Sequence, residues 1–170
     1  MSSSLLLRWS RTNLKATDPP FTIRAAKLTD QRTIHRIVRA ARINPTGLKW
    51  QRFWLAVTPQ DEVIGCVQLK PHADGSRELA SLVVVPAWRG RGVARALIEH
   101  LLRVHPPPIY LMCRSSLGVF YTRFGFQPLS SEQMPPYFRR VSQLASLAHL
   151  LRQEGETLLI MRWDGVSPVR

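Results

Sequence analysis

Leu82-Val83-Val84-Val85-Pro86-Ala87-Trp88-Arg89-Gly90-Arg91-Gly92-Val93-Ala94 runs from an apolar, β-branched stretch through a glycine-containing turn into a helix-period pattern. A strand that stops at proline and hands over to a helix leaves the first helical amides without internal partners, beside the strand's exit. Those N–H groups lie at the positive end of the helix dipole. Gly90 and Gly92 remove the Cβ atoms that would hold an anion off the backbone. Arg89 and Arg91 add charge to the same turn. The segment predicts an anion site, the alternative being that the glycines merely make a tight turn. Two phosphate motifs are excluded: the dinucleotide fingerprint needs glycine at 95, where Arg95 stands, and no Gly-Lys-Ser/Thr follows.

Working outward, the hydrophobic periods predict the neighbouring elements. Upstream, Glu78 to Val85 reads as a strand, preceded across the Asp74-Gly75 turn by a strand from Val63 to Leu69, and across Pro59–Glu62 by another from Phe53 to Val57. Before these lie a short strand, Phe21 to Ala25, and a helix capped by Thr29 that buries Ile34, Ile37, Val38 and Ala41. Downstream, Val93, Leu97, Leu101 and Val104 recur at helical spacing until Pro106-Pro107-Pro108 ends the pattern. Ile109 to Cys113 is then a buried strand and Leu117 to Phe124 a short helix stopped by Gly125, before an extended piece at Phe126. After a loop at 130–136, Tyr137 to Leu151 carries Val141, Leu144, Ala148 and Leu151 on one face, and Thr157 to Trp163 closes the chain as a strand. The fold class is α+β: an antiparallel meander, then a strand-helix-strand unit that gives a parallel pair.

The chain has 170 residues, enough for one domain with an ordinary core, assigned to 21–170 after a basic arm at 1–20. Apolar residues at 45% and charged residues at 21% exclude wholesale disorder and fibrous repeats. Twenty-four Lys and Arg against eleven Asp and Glu leave +13, a charge that attracts nucleotides, nucleic acid or acidic partners and repels polycations. Two scattered cysteines, Cys66 and Cys113, make neither a disulfide framework nor a zinc site. A reducing, cytoplasmic setting is the expectation. The acid-free, Ser- and Arg-containing residues 1–17 leave a plastid or other organelle transit peptide as the alternative. No apolar run approaches the roughly 18 residues of a membrane span.

Arg89-Gly90-Arg91-Gly92-Val93-Ala94 resembles the central signature of the GNAT superfamily of acyl-CoA-dependent N-acetyltransferases: Arg or Gln, two residues, Gly, one residue, then Gly or Ala. Phe120-Tyr121-Thr122-Arg123-Phe124-Gly125-Phe126 resembles its second signature, an aromatic-Tyr pair followed by Gly-Phe. The resemblance extends over the element order from about residue 21 to 129. It implies a mixed, mostly antiparallel sheet with a splayed parallel pair and helices on both faces. It also implies that acetyl-CoA enters between the 78–85 and 109–113 strands, its pantetheine arm on the backbone of Leu82, Val83 and Val84. The pyrophosphate would then rest on Arg89, Gly90, Arg91, Gly92, Val93, Ala94 and Arg95.

Acetyl transfer to an amine needs a base for the amine and an acid for the departing thiolate. The resemblance assigns the acid to Tyr121, with a core aromatic as the alternative. It offers Glu78 as the base, acting through water, against an exposed glutamate paired with Arg77. A buried carboxylate at 78 would have a raised pKa and accept a proton near neutrality. His72 is a weaker candidate, expected in a solvated turn, and Cys113 is expected as a buried filler rather than an acyl carrier. His35, His100, His105 and His149 lack metal-ligand spacing, so no metal is expected, and they are expected mostly on solvated faces. Asn44 to Arg52 is placed by the resemblance at the acceptor site, and the aromatic cluster Trp50, Phe53 and Trp54 serves that site or a partner, or else packs on the core. The 137–151 helix is additional to the minimal pattern and covers that site, docks a partner or packs on the core.

The function expected is direct acetyl transfer to a primary amine, on a small molecule or a protein N-terminus or lysine. A CoA-binding protein without transfer, or a basic nucleic-acid module, are the alternatives, although no RNP, KH, zinc-finger or helix-turn-helix pattern is present.

Overall fold

The computed structural model describes residues 20–148 and 156–166. Seven strands form one sheet in the order β1-β2-β3-β4-β5-β7-β6: β1 Thr22–Ala25, β2 Phe53–Val57, β3 Val63–Pro71, β4 Arg77–Val84, β5 Ile109–Arg114, β6 Gln127–Pro128 and β7 Leu158–Trp163. Four helices accompany them: α1 Gln31–Ala40, α2 Val93–Val104, α3 Gly118–Thr122 and α4 Pro136–Ala148. Every strand pair is antiparallel except β4–β5. The α+β class and the parallel pair expected from the sequence are therefore present.

Side-chain alternation along β2 sorts the helices onto two faces. Phe53, Leu55 and Val57 pack with Ile34, Ile37 and Val38 of α1, whereas Ala56, with Ile64 and Val67, packs with Val93, Leu97 and Leu101 of α2. Burial of Ile34, Val38 and Leu97 is complete, worth about 1.5–3 kcal/mol for each side chain. Phe138 of α4 is also fully buried, against Met134 and Ile160. Gly125 ends α3's turn at φ +89, and a Cβ there would collide with the Val166 carbonyl oxygen. Only glycine fits both the backbone and the space.

Two local expectations are corrected. Thr29 does not cap α1. It lies inside a 3-10 turn, Leu28–Asp30, and Asp30 occupies the cap position. The Asp30 carboxylate turns back to accept bonds from Lys27 N–H at 2.7 Å and the Arg24 guanidinium at 2.8 and 3.1 Å. The partly buried ion pair outcompetes capping for that side chain. On α4, Leu144 is 65% exposed rather than buried, because the helix meets the sheet through its N-terminal end. The predicted end of that helix at 149–151, His149 and the arm at 1–19 lie outside the described residues.

Candidate active site

β4 and β5 pair through a single register, Glu78 with Tyr110, and then diverge. Beyond Glu78 the edge of β4 that faces β5 has no ladder partner there. A bulge sharpens the divergence: Cys66 pairs with Val83 but Gln68 with Ala80, so β4 carries one extra residue, and Ser81 takes φ +53. The splayed pair predicted for acyl-CoA entry is thus built by an extra residue that sequence periodicity did not reveal.

A cavity of about 330 Å³ fills the opening. Its β-sheet walls are Gln68 and Lys70 of β3, Glu78 to Leu82 of β4, and Met112 and Cys113 of β5. Tyr121 of α3 and Tyr137 of α4 close two sides, and Ile43, Asn44 and Thr46 of the loop after α1 close another. Of the expected site residues, Glu78, Leu82 and Tyr121 line this one space. Val83, Val84 and the Arg89–Arg95 turn do not.

Glu78 is 6% exposed, which overturns the solvent-exposed alternative with Arg77. Arg77 instead donates to the carbonyl of Pro106. Burial pushes the Glu78 carboxyl up to about 7, against a smaller opposing pull from Lys70. Its Oε2 lies 2.8 Å from His72 Nε2. His72 is therefore not in a solvated turn: its side chain is 5% exposed, stacked on the Tyr137 ring at 3.5 Å and edge-on to Phe138. Sequence reading missed this because the covering rings come from α4. Burial, then Lys70, hold His72 below the usual imidazole range. A neutral imidazole with its proton on Nε2 can donate to the ionised Glu78 carboxylate across this distance.

Asp74, in the turn between β3 and β4, accepts the Tyr137 N–H at 2.8 Å, so the hairpin caps the helix that covers its own histidine. α4 both packs on the core and closes the cavity, combining two of the alternatives that the sequence left open.

Tyr121 is 8% exposed and packed between Phe120 and Phe126. Burial, with Cys113 adding to it, pushes the phenol up to about 12, so it keeps its proton at neutral pH. Cys113 is 8% exposed and burial raises its thiol to about 11, as a filler rather than a nucleophile requires. Half-buried His100 lies against Trp54 at 4.1 Å with Nε2 buried and unpartnered, so it does not occupy the solvated face expected for it.

At the turn after β4, Gly90 and Gly92 have φ of +73 and +81, and a Cβ built on either meets nothing within 4 Å. The space over the turn is open, and the first helical bond runs from Ala96 N–H to Gly92 O. The amides of Val93, Ala94 and Arg95 precede that bond and have no helical acceptor. Arg91 lies over the Trp88 ring at 5.3 Å, and Arg89 Nε donates to Val84 O at 3.3 Å. An open, amide-lined turn of this kind fits a pyrophosphate.

The family description "Acetyltransferase (GNAT) domain" matches residues 49–128, the span that holds the splayed strands, the glycine turn and Tyr121. Over residues 49–128 the chain matches a GNAT acetyltransferase domain. Its fold is similar to that of N-acetylglutamate synthase from Neisseria gonorrhoeae, solved with coenzyme A and N-acetyl-glutamate, at 19% identity and TM-score 0.66. That alignment covers 86% of this chain and 35% of the synthase, so the chain spans about a third of that relative's length. Rv2747 from Mycobacterium tuberculosis, solved with CoA, aligns at 21% identity and TM-score 0.60 over 82% of this chain and 97% of its own. A GNAT-family acetyltransferase from Bacillus cereus aligns at 16% identity and TM-score 0.59 over 88% and 99%. All three likenesses concern the fold of this GNAT domain.

Gln68, Lys70, Ser81 and Tyr137 line the cavity without having been singled out as site residues. A signal for the first two exists. Gln68 and Lys70 are polar at alternate positions at the end of an otherwise apolar run from Val63, on the face also used by Glu78, the partner of Lys70 across the turn.

Proposed function

We propose that the GNAT domain, acting within residues 21–170, transfers an acetyl group from acetyl-CoA directly to a primary amine. The observation that carries this reading is a single cavity lined by a carboxyl that titrates near neutrality, Glu78, and by a phenol that stays protonated, Tyr121. Two groups whose environments separate their proton affinities in this way suit a base and an acid. Related folds solved with CoA lend support to the co-substrate.

Acetyl-CoA, when bound, supplies the thioester carbonyl. The backbone of Leu82, Val83 and Val84 would hold its pantetheine arm, and the turn from Arg89 through Gly90, Arg91, Gly92, Val93 and Ala94 to Arg95 its pyrophosphate. Glu78 takes a proton from the acceptor ammonium through water and frees the nitrogen lone pair. The nitrogen forms the C–N bond as the C–S bond breaks, Tyr121 Oη delivers a proton to the leaving sulfur, and the second proton shed by the acetylated nitrogen returns to the Tyr121 oxygen. His72 Nε2–H holds the Glu78 carboxylate in place between turnovers. Buried free thiols at Cys66 and Cys113 suit a reducing compartment such as the cytoplasm.

Two measurements test the reading. Acetyl-CoA should raise the melting temperature of the protein, and Gly92→Val should remove that shift, because its side chain would occupy the open space over the turn. An unchanged shift in the variant removes the cradle from the argument. Thiol release from acetyl-CoA across amines, amino acids and peptide N-termini tests transfer, and release with none of them rejects the enzyme.

A further inference from the structure

The cavity presents two opposite charges that do not neutralise each other. Lys70 and Glu78 are register partners on β3 and β4, so their side chains leave the same face about 5 Å apart at Cβ. Neighbours of this kind ordinarily form an ion pair. Here Glu78 is engaged with His72, and among the described residues Lys70 has no carboxylate within 4.0 Å. Its stem lies along the loop after α1, with Cε 3.2 Å from where a Cβ on Gly47 would stand and with Arg52 alongside. Glu78 and Lys70 are the acid and the ammonium of the lining, and Cys113, Tyr121 and Tyr137 keep their protons.

Gln68, two residues before Lys70, adds an independent observation. It is 1% exposed and donates through Nε2 to Ser81 Oγ at 3.0 Å, while its Oε1 is buried with no hydrogen-bond partner. An orphaned buried acceptor costs about 1–3 kcal/mol, a deficit that a bound N–H donor removes. The wall therefore offers a proton acceptor, a cation and an unfilled carbonyl oxygen in adjacent positions.

We infer that Lys70 and Gln68 recognise the acceptor, and that the acceptor is a small amine bearing a carboxylate, of which the free α-amino acid is the simplest. In such a molecule one carbon separates amine from carboxylate, so the nitrogen meets Glu78 and Gln68 Oε1 while the carboxylate meets Lys70. A polyamine or a lysine-rich peptide brings further cations toward Lys70 and Arg52. A peptide N-terminus lacks the adjacent carboxylate. The inference rests on the acetyl-transfer reading for its chemistry but not for its binding.

The test compares common α-amino acids with their amides, by thiol release and by calorimetric binding in the presence of CoA. At least one amino acid should exceed its amide by about tenfold in kcat/KM. Lys70→Met should raise KM for that acid about tenfold with kcat nearly unchanged, leave the amide within about twofold, and be largely rescued in Lys70→Arg. Amides that match their acids, or a Lys70→Met loss equal for both, overturn the inference. If spermidine or lysine peptides are acetylated while amino acids neither bind nor react, transfer stands and the inference falls. If amino acids bind in a Lys70-dependent way but no amine releases thiol, the inference stands and the transfer reading falls.

Discussion

On the proposed reading Tyr121 and Glu78 divide the proton work, and single-atom substitutions separate them. Tyr121→Phe should lower kcat by about 10²–10⁴-fold with acetyl-CoA affinity nearly unchanged, since the ring's packing survives. Undiminished turnover, measured where chemistry limits the rate, would return the proton to water. For Glu78 the sign follows from its raised pKa: activity climbs as pH rises through about 7, where the carboxyl becomes a base, and Glu78→Gln should flatten that acidic limb. Folding responds in the opposite sense. The stability of the protonated carboxyl is present below its ordinary value of 4.5 and is lost as pH rises through about 7. Glu78→Gln should therefore stabilise the protein at pH 8, on the order of 2 kcal/mol, and have little effect at pH 4, as denaturant titrations at the two pH values would record. Both residues were legible in sequence, one from the signature around it and the other from its strand. His72 was not, because its burial depends on rings sixty-odd residues away in the chain.

At the scale of elements, the hairpin β3–β4 and helix α4 act as one clamp: Asp74 caps the helix, and Tyr137 covers His72. Tyr137→Ala should uncover His72 and admit water to Glu78, relieving the burial that raises its pKa and moving the acidic limb of the pH profile toward the ordinary carboxylate range. Tyr137→Phe, which keeps the stack, should preserve the wild-type profile. An unshifted limb in Tyr137→Ala would show that the stack does not govern Glu78. The strands and α2 were legible because their apolar spacing survives in a single chain. The Ser81 bulge was not, since Ala80-Ser81-Leu82 alternates no differently from a regular strand and the extra residue appears only against β3's register. The cap at Thr29 failed for a related reason: Leu28–Asp30 winds into a 3-10 turn whose Asp30 is drawn by Arg24 of β1.

For the whole molecule, +13 is the dominant long-range feature, and the outer face of α1 contributes Arg32, Arg36 and Arg39. A polyanionic co-substrate approaching such a surface is steered by it, so kcat/KM for acetyl-CoA should fall several-fold between about 50 and 500 mM salt while kcat holds. A salt-independent kcat/KM would mean that the charge serves something other than capture. The divided sheet has a further consequence. With β4 and β5 joined at only Glu78 and Tyr110, β1–β4 and β5–β7–β6 are two ladders meeting at one rung. A molecule bound along β4 would act as the missing rungs. Hydrogen exchange at the β4 amides facing the opening should then slow on CoA binding, and the exchange of the two halves should become more closely coupled, as in one cooperative unit.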